Sequence, residues 1–281
     1  MERSFDFVVA GGDLRMQYLV DILRGRGFFV EGLFFGNELL SSGDIFSKNL
    51  ILPVPVINNQ GHLTAPLYDG LISPVKVIGM INGVKNVFGG VVPDEVNTFC
   101  VDRRIKCIDY MKYEPLVIKN AQATAEGALK LAIENTPYAL CSKKVLISGC
   151  GRIGKFVAKY LKTIGAEVTI SARRQEHFSW ISSMGYMPLD VNHLSDNVGQ
   201  FDVIINTVPS VIFDNVVLEN MKDDVVYIEL ASPPYGIDTQ MAIKRGINIV
   251  KGNGLPGKTA PHTAAEAIAE AVLNTLKEGE V

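Results

Sequence analysis

The chain has 281 residues, of which 47% are hydrophobic and 20% are charged, and its formal net charge is −3 at pH 7. This length suggests one large or two medium domains, with ample apolar material for buried cores. The acidic balance argues against a nucleic-acid-binding protein, and no segment approaches the roughly 20 apolar residues of a membrane span. The first residues lack a basic leader, so we expect no secretory signal and a cytoplasmic location.

Strand-like apolar runs alternate with helix-like amphipathic runs along the first half, a pattern typical of parallel α/β sheets. A helix is predicted over residues 14–23, after the turn Gly11-Gly12-Asp13. Pro53 and Pro55 favour an edge or irregular position for one of the strand candidates. The strand candidates are residues 5–10, 28–35, 50–57, 75–81 and 100–108.

A clear helix is predicted over residues 120–135, capped by Asn120 and closed by Asn135 and Pro137. Beyond it, five further strand candidates alternate with helices in a nearly complete doubly wound order, at residues 145–148, 167–171, 203–206, 225–230 and 247–250. We therefore expect four segments, namely an N-terminal α/β domain (1–119), a connector helix (120–137), a Rossmann domain (138–262) and a C-terminal helix (263–281) that packs back toward the first domain.

The motif GCGRIG at residues 149–154 predicts a dinucleotide-binding turn. GxGxxG alone is a weak signal, but here a β-branched strand precedes it and an amphipathic helix follows it. The first glycine allows the tight turn, the second lets the backbone approach a pyrophosphate, and the third allows close helix–sheet packing. The pyrophosphate would lie at the helix N-terminus. The predicted cofactor-binding residues are Gly149, Gly151, Arg152, Ile153 and Gly154.

The end of the second Rossmann strand predicts which nicotinamide cofactor is bound. NAD-specific sites place an acid there to accept from the ribose hydroxyls. This chain has Ser171, Arg173 and Arg174 at that position instead. Because two guanidinium groups can bind a 2′-phosphate and stack on adenine, NADP is preferred over NAD.

The carboxyl ends of the later strands are expected to complete the cofactor site, since ligands bind at that edge of open α/β sheets. Val208 and Pro209 would form an apolar wall for the nicotinamide, and Thr207 would hydrogen-bond the cofactor. Ala231 and Ser232 follow the next strand in the equivalent position. Plain strand-to-helix loops are the alternative interpretation of both segments.

A substrate is expected in the cleft between the two halves, facing the nicotinamide. Arg15 is a candidate clamp for a substrate carboxylate, although Asp13 as a helix cap and Arg15 as a solvated side chain are also compatible with the turn. Lys258 or His262, near the start of the last helix, would face the cleft, and histidine suits proton transfer near neutral pH. A surface histidine beside a helix start is the alternative. The other histidines, at 62, 177 and 193, are placed in loops without a partner.

Five segments, taken together and in order, resemble the A-subunit family of dipicolinate synthase. They are GGDLRMQYL (11–19), NAQATAEGALKLAIENT (120–136), GCGRIGKFVAKYLKTIGAEVTISAR (149–173), NTVP (206–209) and LPGKTAPHTA (255–264). The resemblance runs over nearly the whole chain. It implies a flavodoxin-like N-terminal domain beside the Rossmann domain, as in 2-hydroxy-acid dehydrogenases. It also implies a flavoprotein-like partner, which is the B subunit of the synthase.

The resemblance further implies NADP-dependent oxidation of a dihydrodipicolinate-type ring, formed from hydroxy-tetrahydrodipicolinate, to pyridine-2,6-dicarboxylate in the mother-cell cytoplasm of a sporulating bacterium. The two carboxylates of such a substrate require cationic or N–H partners, which favours Arg15 and the Lys258 segment. The resemblance itself assigns no catalytic residue.

Two alternative functions are compatible with the residues. One is another two-domain dehydrogenase, of the alanine or shikimate dehydrogenase kind. The other is a non-catalytic NADP-binding module that senses redox state or scaffolds a partner. No metal site is expected, because the four cysteines lack metal-ligand spacing. Neither nucleic-acid nor membrane partners are expected, and a homo-oligomer is compatible with the chain.

Overall fold

The computed structural model describes residues 3–36 and 45–278, which form two α/β units. The first unit comprises the described residues up to Asn120 together with those from Ala260 onward, and the second unit is Ala121–Thr259. Each unit contains one sheet in which all neighbouring strands are parallel. The predicted α/β class with two parallel-sheet domains is confirmed.

The first unit has the strand order β2-β1-β3-β4-β5. This is the flavodoxin-like order, so the prediction for the N-terminal domain is confirmed. Its elements, in chain order, are β1 (Arg3–Ala10), α1 (Leu14–Gly25), β2 (Val30–Leu33), β3 (Ile45–Ile51), α2 (Pro74–Met80), β4 (Asn86–Gly89), α3 (Asp94–Asp102), β5 (Lys106–Asp109) and α4 (Glu114–Asn135), the last of which continues into the second unit.

The strand predicted at residues 75–81 is wrong, because this segment is helix α2. Pro74 occupies the first helical position, where its fixed φ and missing N–H favour a helix start. Val77 and Ile78 are buried while Lys76 is exposed, so one helical face carries the contacts. The candidate at 100–108 likewise contains the end of α3, and only β5 is a strand there. A short apolar run does not distinguish these states by periodicity.

Of the two positions predicted for the segment with Pro53 and Pro55, the irregular one is confirmed, because residues 52–56 lie outside any strand or helix. Strand β3 lies inside the sheet, between β1 and β4. It begins at Ile45 and ends at Ile51, so both prolines follow the strand and remove no hydrogen bond from its ladder. Strand β4 is present in addition to the predicted strands.

The second unit has the strand order β11-β10-β9-β6-β7-β8, which is the doubly wound Rossmann order. All five predicted strands are present, and β8 is an additional one. The elements are β6 (Lys144–Ser148), α5 (Arg152–Thr163), β7 (Glu167–Ala172), α6 (Gln175–Ser183), β8 (Met187–Asp190), α7 (Leu194–Asn197), β9 (Val203–Asn206), α8 (Asn215–Glu219), β10 (Val226–Glu229), α9 (Thr239–Lys244), β11 (Asn248–Lys251) and α10 (Leu255–Thr259).

Helix α4 begins at Glu114, so Asn120 lies within the helix and is not its cap. Pro115 is at the start of the first turn, where proline is tolerated. The segment just before the last helix, which carries Lys258, contains the short helix α10. Leu255 of α10 is buried close to Gly127 of α4, where an added Cβ would lie 2.9 Å from the Leu255 Cβ. The absence of a side chain at Gly127 therefore lets these two helices approach.

The last helix, α11 (Pro261–Glu278), belongs to the first unit and lies beside α1. Its alanine-rich face is buried, and Ala265, Ala269 and Val272 have no exposed surface. These small side chains share a core with Leu19 of α1. The final residues of the predicted segment 263–281, from 279 onward, lie outside the described residues.

Within residues 3–36 and 45–278, no helix combines the length and the apolar character that crossing a membrane requires. In the same part of the chain, no three His, Cys, Asp or Glu side chains are grouped so that they could hold a metal ion.

The core of the second unit gives a stability prediction. Leu161 of α5 is fully buried, whereas Ile243 of α9 is 68% exposed. Leu161→Ala leaves a cavity and should lower the free energy of unfolding by about 2–5 kcal/mol. Ile243→Ala should change it by less than about 0.5 kcal/mol. Urea denaturation followed by circular dichroism measures both, and equal effects would contradict the assigned core.

Candidate functional site

The turn between β6 and α5 has a conformation that its first glycine makes possible. Gly149 has φ of +100°, which side chains disfavour, and an added Cβ would lie 2.5 Å from Thr207 Oγ1. The Gly149 N–H donates to the Ser171 carbonyl at 3.1 Å. The turn is therefore held between the ends of β7 and β9.

The other two glycines have different surroundings. A Cβ at Gly154 would collide with the carbonyl oxygen of Gly149, so only glycine lets α5 begin this close to β6. Gly151 is the N-cap of α5, and a Cβ there would meet nothing within 4 Å. The first N–H groups of a helix have no intrahelical acceptor and favour an anion. Gly151 thus leaves open space beside an anion-binding helix end.

A cavity of about 290 Å³ lies next to this turn, at the carboxyl edge of the second sheet. This edge is where open α/β sheets bind ligands. The cavity brings together predicted cofactor residues from three loops with residues that the sequence did not single out. It is lined by Gly149, Cys150, Ser171, Ala172, Arg173, Arg174, His177, Val191, Val208 and Ile212.

Two buried hydroxyl groups at the same edge have no hydrogen-bond partner within residues 3–36 and 45–278. They belong to Ser148, at the end of β6, and Ser171, near the end of β7. Buried polar atoms are nearly always hydrogen-bonded in folded proteins, and an exception signals a missing ligand or water. Of the two residues, Ser171 is the one that lies next to the cavity.

The two arginines after β7 differ in the contacts that their side chains make. Arg173 is exposed and has no side-chain partner among the described residues. Arg174 is engaged, with Nη1 2.8 Å from Glu176 Oε1 and Nη2 2.8 Å from His177 Nε2. The prediction of a loop position without a partner for His177 is wrong, because this residue lies on α6 and lines the cavity. In the sequence, the spacing Arg-x-x-His at the start of a helix is the feature that could have indicated the contact between Arg174 and His177.

Cys150, inside the glycine turn, is buried. Burial raises the pKa of its thiol, although Lys155 and Arg174 oppose this shift. The thiol therefore stays protonated near neutral pH and adds no negative charge beside the helix N-terminus.

The predicted nicotinamide-side residues lie at the ends of β9 and β10. Thr207 Oγ1 donates to the Ser148 carbonyl at 2.7 Å, so its lone pairs remain available as acceptors. Val208 is half-buried at the cavity, while Pro209 is exposed. The Ala231 N–H donates to Glu229 Oε1 at 3.0 Å, and Ser232 is exposed. The sequence did not single out Glu229, the buried acid that joins these two loops.

Arg15 lies at the start of α1, in the first unit. Its Nε is 2.8 Å from Asp13 Oδ1, its Nη2 is 2.9 Å from Asp13 Oδ2, and Nη2 also donates to the Val54 carbonyl. Burial raises the pKa of the Asp13 carboxyl, but the hydrogen bond and charge of Arg15 outweigh this effect and lower it. Asp13 also accepts from the Arg15 N–H as the helix cap. Arg15 is thus held rigidly.

The other two catalytic candidates lie on different elements. Lys258 is exposed on α10, in the second unit. His262 is exposed near the start of α11, in the first unit, with its Nδ1 3.8 Å from Glu266 Oε1. The His262 ring meets the Tyr18 ring of α1 edge to face at 5.3 Å between centroids. His262 therefore lies near the helix that also carries Arg15.

A nicotinamide dinucleotide fits this carboxyl edge. The open space at Gly151, beside the first N–H groups of α5, is compatible with a pyrophosphate. A family model described as "D-isomer specific 2-hydroxyacid dehydrogenase, NAD binding domain" matches residues 117–234, which contain the turn and the cavity. The second unit is therefore a nicotinamide dinucleotide-binding domain of the dehydrogenase type.

The first unit identifies the family. A family model for the N-terminal domain of the dipicolinate synthase A subunit matches residues 6–111. The A subunit of dipicolinate synthase from Bacillus subtilis (strain 168) is 32% identical over 192 residues, which cover 68% of this chain and 65% of that protein. The chain belongs to the A-subunit family of dipicolinate synthase. The match thus spans slightly less than two thirds of this relative's length.

Solved structures of family members have the same fold. The A subunit of dipicolinate synthase from Bacillus halodurans superimposes with a TM-score of 0.83 at 27% identity, covering 96% of this chain and 97% of that one. The A chain of dipicolinate synthase from Bacillus subtilis gives a TM-score of 0.83 at 25% identity, covering 99% and 97%. The family resemblance inferred from the five segments is confirmed.

The two glycines of the turn give a paired prediction. Gly151→Val adds a side chain in open space, so the fold should stay intact while dinucleotide affinity falls by at least about 100-fold, because the pyrophosphate loses its approach. Gly154→Ala collides with backbone and should lower the melting temperature. Thermal unfolding and calorimetric titration measure both. Retained binding in Gly151→Val would show that this turn is not the cofactor site.

Proposed function

We propose that the chain is an NADP-dependent oxidoreductase that acts on a cyclic dicarboxylate of the dihydrodipicolinate type. The observation that carries this proposal is the exposed Arg173 at the end of β7, beside the cavity next to the glycine turn. NAD-specific Rossmann sites have an acid at this point. Here the strand is followed by two arginines, and the first has no side-chain partner within the described residues.

The three basic side chains at this edge support recognition of a 2′-phosphate. Guanidinium groups bind phosphate through paired, charge-assisted hydrogen bonds. Arg173 offers all of its N–H donors, and Arg174 is held toward the cavity side by His177. Glu176 offsets part of the positive charge through its ion pair with Arg174. Arg173 is therefore expected to contribute more to the choice of cofactor than Arg174 does.

The two arginines can be separated by mutation. Arg173→Ala should weaken NADP⁺ binding by about tenfold or more, in line with the loss of a charge-assisted hydrogen bond, and leave NAD⁺ binding within about twofold. Arg174→Ala should have a smaller effect of the same kind. Arg26→Ala, an exposed arginine in the first unit, is the control for net charge. Equal losses for the two cofactors, measured by calorimetry, would contradict recognition of the 2′-phosphate.

The proposed reaction removes one hydride and one proton from the ring and yields the aromatic pyridine-2,6-dicarboxylate. A bound nicotinamide supplies the hydride acceptor. The residues of the chain must then hold two carboxylates and take up the proton. Arg15 is rigidly placed by Asp13 and Val54, and its Nη1 is not used in these contacts, which suits a carboxylate clamp. Lys258 is an exposed cation for a second carboxylate, and His262 is the candidate proton acceptor.

The role of Arg15 predicts a specific kinetic change. Arg15→Ala removes one carboxylate partner, so the KM for the ring substrate should rise by about tenfold or more, while the Kd for NADP⁺ stays within about twofold. Steady-state kinetics and calorimetry measure these quantities. An unchanged KM would reduce Arg15 to a partner of Asp13 that stabilises the turn.

The activity itself is tested by coupled turnover. Hydroxy-tetrahydrodipicolinate is generated enzymatically in the presence of the chain and NADP⁺, and the pyridine absorbance of dipicolinate is followed with and without the family's B subunit. We expect dipicolinate to form in this assay. In a sporulating cell, we expect the same reaction to take place in the mother-cell cytoplasm. Binding of NADP⁺ without dipicolinate in either mixture would favour another dehydrogenase or a redox sensor.

A further inference from the structure

A carboxylate is buried at the nicotinamide side of the site, and the proposed reaction does not use it. Glu229 is the last residue of β10 and is 1% exposed. No cation is paired with it among the described residues. Burial of a charged group is costly unless hydrogen bonds replace its water. The hydrogen-bond partners of Glu229 therefore explain how the buried carboxylate is stabilised, and they indicate its role.

Each oxygen of the carboxylate accepts two hydrogen bonds. Oε1 accepts from Asn206 Nδ2 at 2.7 Å and from the Ala231 N–H at 3.0 Å. Oε2 accepts from the Gly236 N–H at 2.8 Å and from the Tyr227 hydroxyl at 3.1 Å. An ionised carboxylate has only acceptors, so this set of donors matches the charged form. Burial, together with the neighbouring Glu229, raises the pKa of Tyr227 well above its usual value, so its hydroxyl remains a donor.

These bonds join two loops that follow neighbouring strands. Asn206 ends β9, and its amide both donates to the Val208 carbonyl at 2.9 Å and accepts from the Val208 N–H at 3.1 Å. The amide thus fixes the backbone of the loop that carries Thr207 and Val208. A Cβ at Gly236 would collide with the Asn206 amide. The loop after β10 is therefore fitted directly against the side chain that shapes the loop after β9.

The position of the network relative to the sheet gives it a functional meaning. The Rossmann order places the switch point between β6 and β9, and a dinucleotide spans that point. The adenosine half then lies toward the end of β7 and the other half toward the ends of β9 and β10. Apolar side chains of similar volume often replace buried charges with no loss of stability. A carboxylate with four donors is suited to fixing the shape of these loops.

We infer that Glu229 is a positioning residue of the cofactor site, which holds the loops after β9 and β10 in the shape that receives the nicotinamide half of the dinucleotide. This inference rests on the proposed function, because it takes the glycine turn and the two loops as one cofactor site. The ligand is a nicotinamide nucleotide. Glu229 acts on it indirectly, through Asn206, Ala231 and Gly236, and does not itself contact it.

The test compares a whole cofactor with its adenosine half. Glu229→Gln places an amide donor against N–H donors, so the link between the loops is broken. NADP⁺ should then bind about tenfold or more weakly, while adenosine 2′,5′-bisphosphate binds within about twofold of the wild type. Tyr227→Phe is the matched control, because it removes a donor on β10 itself and leaves the three donors around the loops. It should leave both affinities within about twofold.

Three results would distinguish the possible failures. Equal weakening of both ligands in Glu229→Gln, or no weakening of either, would overturn the positioning role while leaving the cofactor site in place. A wild-type chain that binds neither ligand would overturn the proposed function instead.

Where circular dichroism shows that Glu229→Gln does not fold, Asn206→Ala replaces it, since this variant breaks the link to the loop after β9 and retains the carboxylate. The same selective loss of NADP⁺ affinity is expected, and its absence contradicts the inference.

Discussion

The contact between Gly154 and the carbonyl oxygen of Gly149 constrains the rest of the second unit. A Cβ at position 154 would collide with that oxygen, so glycine alone allows α5 to begin directly at the end of β6. The helix N-terminus then lies at the carboxyl edge of the sheet, with open space at Gly151. Because neighbouring strands are parallel, the loops after β7, β9 and β10 meet at the same edge. The N-terminus of α5, the arginines after β7 and the loops after β9 and β10 therefore lie along one edge of the sheet.

Opposite charges are arranged on the two sides of this turn. Arg173 and Arg174 follow β7, and Glu229, a buried carboxylate, ends β10. The arginines are exposed, which suits recognition of a phosphate that arrives from solvent. The carboxylate is enclosed by donors, which suits a role in fixing backbone shape. Under the proposed function, the exposed arginines recognise one half of the dinucleotide and the buried carboxylate fixes the loops beside the other half.

Much of this architecture is predictable from the sequence because the signals are local. The GCGRIG turn, the strands around it and the arginine pair follow directly from glycine spacing and apolar periodicity. The errors arise where local pattern and tertiary context disagree. The apolar run at 75–81 is a helix that begins at Pro74, and the run at 100–108 contains the end of α3 before β5 begins. The network around Glu229 is not predictable, since Asn206, Ala231 and Gly236 become neighbours only when β9 and β10 pair.

The most direct test of the account is a crystal structure of the chain with NADP⁺ bound. We predict the pyrophosphate against the backbone of Gly151, at the N-terminus of α5, and the 2′-phosphate in contact with the Arg173 guanidinium. The nicotinamide should lie beside the loops that Glu229 joins. A dinucleotide bound elsewhere in the chain, or one whose 2′-phosphate points into solvent away from Arg173, would contradict the account.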